Sequence, residues 1–254
     1  MSGFASDYAG ADVRVSPNFG PRLGSGRPDM IIVHYTGMQT GLAAEEWLCS
    51  PESQVSSHYL IHEDGRVVQM VREGDRAWHA GKSSWLGVTD INSCSIGIEI
   101  VNPGHEFGYC DFPARQMDSV ISLCRDITRR HLVPSERLLA HSDVAPGRKI
   151  DPGEKFDWAL LAEAGLGHFV APLPIVNGDS LCLDDSGDEV QCFQSMLSLY
   201  GYGVEISGCY DERTKVVTSA FQRHFRPLLV DGVADPSTRE TLQRLVQSLP
   251  ECFE

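Results

Sequence analysis

Residues 95–101 read Ser-Ile-Gly-Ile-Glu-Ile-Val, an alternation of period two. A strand separates these residues cleanly: Ile96, Ile98 and Ile100 point one way, and Gly97, Glu99 and Val101 the other. The chain must build a sheet with a continuous apolar face, and on the opposite face it must accommodate a lone carboxylate. Burying that charge is costly unless a polar site receives it. The competing reading is a glutamate at a strand edge, paired to an arginine.

Other segments supply the rest of the sheet. Residues 30–35 form a short buried strand that ends near His34. Residues 57–61 and 66–71 flank Glu63-Asp64-Gly65, a hairpin signal. Residues 137–140 form another short apolar strand. Over 113–131, apolar residues recur at 117, 120, 121, 124 and 127, the spacing of an amphipathic helix. Arg129, Arg130 and His131 suit its negative C-terminal end. The pattern predicts an α/β domain with a mixed central β-sheet flanked by helices.

Composition changes near residue 170. Residues 170–179 hold two prolines and a glycine and read as a linker. This divides the chain into a domain over 1–169, the linker, and a second domain over 180–254. The second domain is all-α by pattern, with apolar stripes at Val190, Phe193, Leu197 and Tyr200, then at Val217, Ala220, Phe221 and Phe225, then at Leu242, Leu245, Val246 and Leu249. Gly208-x-x-Asp211-x-x-Thr214 recurs as Gly232-x-x-Asp235-x-x-Thr238. Each Asp can cap the helix that follows, with Pro236 at a good first helical position. A small three-helix domain is expected.

Charge and apolar run lengths exclude several function classes. Asp plus Glu number 35 against 21 Lys plus Arg, a formal net charge of −14. Nucleic-acid binding needs a basic face, so no nucleic-acid partner is expected. Apolar runs such as residues 30–33 fall far short of the roughly 18–20 residues that cross a bilayer. The first basic residue is Arg14, and the N-terminus has neither the basic nor the apolar region of a secretory signal. The expected compartment is the cytoplasm; a chain trimmed of its signal would read the same, which keeps the periplasm as the alternative. The eight cysteines form no CxxC pair and are expected to be mostly buried, reduced thiols.

The residues that can carry chemistry sit at strand ends. His34 closes Ile-Ile-Val-His, and His141 closes Leu-Leu-Ala-His. The loop over 145–153, rich in proline and glycine, can turn Asp151 back toward His141. Two histidines and a carboxylate are a catalytic rather than a structural zinc set, because three protein ligands leave a fourth tetrahedral position open. Glu99 is the candidate base and Lys149 the candidate stabiliser of an oxyanion. Taken singly, each histidine also reads as a satisfied structural residue, and Lys149 as a solvated charge.

Five segments then occur in order: IIVHYTG (31–37), VSSHYLIHEDG (55–65), RAWHAG (76–81), SIGIEIVNPG (95–104) and AHSDVAPGRKIDPG (140–153). Together they resemble the type-2 N-acetylmuramoyl-L-alanine amidase family, whose fold is shared with phage T7-type lysozyme and peptidoglycan recognition proteins. The resemblance implies Zn2+ held by His34, His141 and Asp151, Glu99 as catalytic acid/base and Lys149 as the carbonyl or oxyanion partner. His58, Trp78 and His79 fall in family motifs and are expected as substrate contacts, with a buried structural role as the alternative. Ser57 stands where T7-type members carry a tyrosine, and Asp151 where they carry a cysteine. Both departures place the chain with the Glu-and-Asp branch, which contains recycling and lipoprotein amidases.

The C-terminal segment resembles a peptidoglycan-binding three-helix domain. The implied activity is hydrolysis of the lactyl–L-Ala amide in (1,6-anhydro)muropeptides during peptidoglycan recycling. The alternatives are cleavage of polymeric peptidoglycan outside the cytoplasm and a peptidoglycan sensor that binds without cutting. The implied partners are peptidoglycan fragments or polymer.

Overall fold

A computed structural model describes residues 3–24 and 26–249. Its strands are β1 (Ala11–Val13), β2 (Phe19–Pro21), β3 (Met30–Tyr35), β4 (Tyr59–Ile61), β5 (Val67–Gln69), β6 (Asp75–Ala77), β7 (Ser95–Ile100) and β8 (Leu138–Ala140). Its α-helices are α1 (Gly41–Leu48), α2 (Ile91–Cys94), α3 (Gly104–Phe107), α4 (Ala114–His131), α5 (His141–Val144), α6 (Trp158–Glu163), α7 (Asp188–Tyr200), α8 (Glu212–Phe225) and α9 (Pro236–Gln247).

Six strands form a mixed sheet in the order β1-β5-β4-β7-β3-β8, and β2 pairs with β6 in a separate ribbon. β3 is parallel to both β7 and β8, and β4 is antiparallel to β5, closing the hairpin read from the sequence. Gly65 turns that hairpin at φ 89°, a left-handed value that glycine tolerates. The fold is thus the expected α/β class.

The pleat sorts residues as the alternation requires. Ile31, Val33, Ile96, Ile98 and Ile100 share a buried cluster with Met117, Val120, Cys124 and Ile127 of α4 and with Trp158 and Leu161 of α6. On the other face, Met30, Ile32 and Leu139 join Trp85, Ile91 and Val144. That cluster runs on without a break into the helices α7, α8 and α9, through Phe193, Leu197, Tyr200, Phe221, Phe225, Leu242 and Leu245.

Asp211 caps α8 by accepting from the Thr214 amide at 2.7 Å, and Asp235 caps α9 from Thr238 at 2.7 Å. The doubled cap motif therefore does what its spacing predicts.

Polar groups also join the helical bundle to the sheet. The carboxylate of Asp143 on α5 accepts from Tyr202 Oη at 2.7 Å and from His224 Nδ1 at 2.7 Å, with Asp143 and His224 both buried. The His224 ring stacks on Trp158 at 3.7 Å. Seven described cysteines are free, but only Cys124 is buried; Cys110, Cys182, Cys192 and Cys209 are exposed, which corrects the expectation of mostly buried thiols. Cys192 lies on α7, and the other three lie outside the named strands and helices. Cys252 and the rest of 250–254 lie outside the described residues.

Candidate active site

The parallel pairing of β3 with β7 sets His34 directly beside Glu99. Both side chains leave the sheet on the face opposite the isoleucines, at the C-terminal ends of the strands, where open α/β sheets keep their sites. β8 delivers His141 next, as the first residue of α5 rather than the last of the strand. The 145–153 loop returns Asp151, anchored by the Ser142 amide donating to Asp151 O at 3.0 Å.

Three side-chain atoms converge. His34 Nδ1 lies 2.9 Å from His141 Nδ1 and 3.1 Å from Asp151 Oδ2, and His141 Nδ1 lies 3.0 Å from the same oxygen. All three residues are buried. Ligands about 2.0–2.1 Å from a tetrahedral zinc stand about 3.3 Å apart, so the triangle is a slightly contracted face of such a tetrahedron.

Hydrogen bonds at the far side of each ring select the tautomer that a metal needs. His141 Nε2 donates to Ala80 O at 3.1 Å, leaving Nδ1 as a lone pair. His34 Nε2 faces His79 Nδ1 at 3.0 Å, and His79 Nε2 faces Ser95 Oγ at 3.2 Å. Ser95 Oγ donates on to Ile91 O at 2.6 Å. Passing protons outward along that chain leaves His34 Nδ1 aimed bare into the triangle.

Electrostatics agree with this assignment. Burial, reinforced by repulsion from His141, lowers His34 to about 4, so it is neutral at pH 7. Burial alone would raise the Asp151 carboxyl, but the His141 and His34 imidazoles overturn that and hold it far below the usual carboxylate range. Two imidazoles and one carboxylate are a donor set for a divalent cation. Among the described residues they are the one cluster of three or more His, Cys, Asp or Glu side chains placed to hold a metal ion.

Glu99 differs from Asp151. Burial, then repulsion from Asp151, raises its carboxyl well above 4.5, with Lys149 opposing. Its Oε2 is buried without a hydrogen-bond partner. It lines a cavity of about 540 Å³ together with all three converging residues, Lys149, Trp78 and His79.

The chain matches the family described as N-acetylmuramoyl-L-alanine amidase over residues 24–154 and a peptidoglycan binding domain over residues 186–242. It is 33% identical over 235 residues to the N-acetylmuramoyl-L-alanine amidase AmiD of Escherichia coli K12, covering 87% of this chain and 83% of that protein. The chain belongs to the N-acetylmuramoyl-L-alanine amidase family.

Solved structures extend the likeness to the whole fold of this amidase. AmiD from E. coli, in complex with anhydro-N-acetylmuramic acid-L-Ala-D-γ-Glu-L-Lys, has a TM-score of 0.74 at 32% identity and covers 88% of this chain and 90% of its own. AmpDh3 from Pseudomonas aeruginosa, in complex with anhydromuramic pentapeptide, has a TM-score of 0.73 at 28% identity, covering 97% and 99%. A further relative, the 1,6-anhydro-N-acetylmuramyl-L-alanine amidase AmpD of Citrobacter freundii, is 32% identical over 161 residues, 57% of this chain and 84% of that one.

Two residues expected either as substrate contacts or as buried structural histidines have partners within the protein. His58 does not reach the cavity. It is fully buried beneath it, accepting the Gly97 amide at Nδ1 (3.0 Å) and facing Asp75 O from Nε2 (3.1 Å). Burial, with the nearby Arg22 guanidinium, lowers it to about 3, so it is a neutral structural residue that ties β4 to β7. His79 does line the cavity, but its ring nitrogens are taken by His34 and Ser95. Trp78 lines the cavity.

Sequence reasoning gave no role to Gly97, Arg148 or Trp47. A Cβ on Gly97 would meet His79 Cγ at 2.5 Å, so the missing side chain is the seat of the His79 ring. The signal was present: a glycine inside an isoleucine-rich strand marks a close approach. Gly97→Ala should displace His79, free the His34 tautomer and weaken metal affinity roughly 10–100-fold. Competition with a chromophoric chelator checks this; unchanged affinity would remove His79 from the metal's support.

Proposed function

We propose that this amidase binds zinc through His34, His141 and Asp151 and cleaves the amide between the lactyl group of N-acetylmuramic acid and L-alanine in soluble 1,6-anhydro-muropeptides. The observation that carries the reading is the convergent Nδ1–Nδ1–Oδ2 triangle with an unpartnered carboxylate on the next strand. Zinc held there supplies Lewis acidity toward the carbonyl and lowers the pKa of water.

The chain's own groups do the rest. Glu99, with its raised carboxyl, takes a proton from the attacking water and returns it to the alanine nitrogen as the amide breaks. Lys149, exposed on the cavity rim, donates to the carbonyl oxygen as negative charge develops there. Trp47, Trp78 and Val55 give the cavity an apolar wall suited to a sugar ring.

The cytoplasm is the proposed compartment, in keeping with a soluble recycling substrate; none of the described helices is long and apolar enough to cross a membrane. A second reading, action on polymeric wall outside the cytoplasm, draws on the peptidoglycan binding domain match over 186–242.

Mass spectrometry of the protein incubated with 1,6-anhydro-muramyl tripeptide, and separately with intact sacculi, tests both. Release of free tripeptide from the soluble substrate, abolished by chelator and restored by zinc, is expected. Release from sacculi as well would favour the second reading, and release from neither by zinc-loaded protein would overturn both.

A further inference from the structure

A second cavity, of about 510 Å³, lies where the sheet domain meets the helical bundle. Its wall includes Lys82, Ser84 and Thr89 from the loop after β6, Arg148 from the loop after α5, and Arg213 from the first turn of α8. Three of these are cations, and no carboxylate lines the cavity. In a chain with 35 acids against 21 Lys plus Arg, that runs against composition.

The cations are oriented but not neutralised. Arg148 Nε donates to Lys82 O at 2.9 Å, and Arg213 donates to Gly203 O and Pro146 O, each at 3.1 Å. Carbonyl partners aim a guanidinium fork without cancelling its charge. Among the described residues, none of the three cations has a carboxylate at ion-pair distance, and the Lys82 ammonium has no hydrogen-bond partner.

Arg148 also lines the catalytic cavity, and its Nη2 lies 3.3 Å from Nε2 of the His141 ring. The two cavities thus meet at one guanidinium, a single imidazole away from the converging ligand atoms. The catalytic cavity is lined by the apolar Trp47, Trp78 and Val55 and by the cations Arg148 and Lys149, beside the carboxylates Glu99, Glu106 and Asp151. A peptide that continues from L-alanine through a γ-linked glutamate, like the one bound to AmiD, keeps the glutamate α-carboxylate free. That anion lies one residue beyond the scissile amide, a reach of about 4–7 Å along the chain. With the sugar against the indoles, the peptide half is free to run toward Arg148 and the second cavity.

We infer that the second cavity is a carboxylate subsite for the peptide half of the substrate, with Lys82 and Arg213 as its specificity-determining cations. The inference rests on the substrate proposed above and adds where discrimination among stem peptides occurs. It also gives the bundle a share in the substrate site, because Arg213 comes from α8.

Isothermal titration calorimetry of the zinc-loaded full chain at low salt tests it with three probes: L-Ala-γ-D-Glu, its α-carboxamide counterpart L-Ala-γ-D-isoglutamine, and L-Ala-γ-D-Glu-L-Lys. The acid dipeptide should bind roughly ten-fold tighter than the amide. Lys82→Gln and Arg213→Gln should each cost it about five-fold while leaving the amide unchanged. In turnover the same variants should raise KM and spare kcat. A preference lost in the variants for the tripeptide but absent for the dipeptide would assign the subsite to the terminal carboxylate instead.

Equal binding of acid and amide forms, or variants that weaken both alike, overturns the subsite. Lys82 is exposed and without a side-chain partner, so its variant reads binding and not folding. Because product peptides are titrated, absent hydrolysis would count against the proposed activity and leave the calorimetric result to decide the subsite.

Discussion

Glu99→Gln should lower kcat by roughly 10²–10⁴-fold, the usual contribution of a positioned acid/base, while the protein still binds zinc. The variant keeps the shape of the side chain and removes only its capacity to accept a proton. The same substitution should raise the melting temperature of the metal-free protein at neutral pH, and the sign follows from linkage. Burial and Asp151 raise the folded carboxyl well above 4.5. The stabilising contribution of the protonated form is complete below the unfolded pKa and is lost as pH rises through the folded value. At pH 7 the wild type therefore carries an ionised or reluctantly protonated carboxylate that glutamine lacks. The gap in melting temperature should close below about pH 4.3, the unperturbed value of glutamate. Activity, zinc content and apo-protein melting curves from pH 4 to 8 check all three statements. A variant that turns over normally, or melts lower at pH 7 than at pH 4 relative to wild type, would refute this account of Glu99.

Trp85→Ala should destabilise both halves of the chain together, by about 3–5 kcal/mol. Trp85 is 1% exposed, and its ring meets Tyr202 at 4.9 Å and Tyr200 at 6.0 Å. The fit leaves no slack, since a Cβ on Gly201 would fall 2.3 Å from the indole. Removing the ring opens a cavity in the cluster that joins Met30 and Ile32 of the sheet to Phe221 and Phe225 of the bundle. A loss of this size in a chain this long lowers the melting temperature by on the order of 10 °C. Scanning calorimetry should show one transition moved as a whole. Two transitions, with one unmoved, would mean that the halves unfold separately.

The parts of the sheet and site that depend on periodicity were legible in the sequence. The alternation at 95–100 and the histidine ending the run from Met30 fixed which face each residue takes, and the pairing of His34 with Glu99 follows from two parallel strands. Contacts that depend on what lies across the sheet were not legible. His58 and His79 both sit in family motifs, yet one is locked under the floor by the Gly97 amide and the other is spent on His34. Their fates are set by a cross-strand neighbour that only a register supplies. The short α1 and α5 escaped for a different reason: eight and four residues are too few for helical periodicity to stand out. The core shared by sheet and bundle was equally hidden, because an apolar stripe announces that it will be buried and not against what.

The bond between Asp143 and its two partners, Tyr202 and His224, has a consequence for reach. Modules on a slack tether gain from raised local concentration and can meet their target in many poses. Here a buried polar clasp and a shared core hold the bundle to the sheet, so that benefit does not arise. Whatever the bundle grips stands at one bearing and one distance from the cleft. Along a repeating polymer, that geometry would act as a ruler, and the repeat presented for cutting would be chosen by the fold.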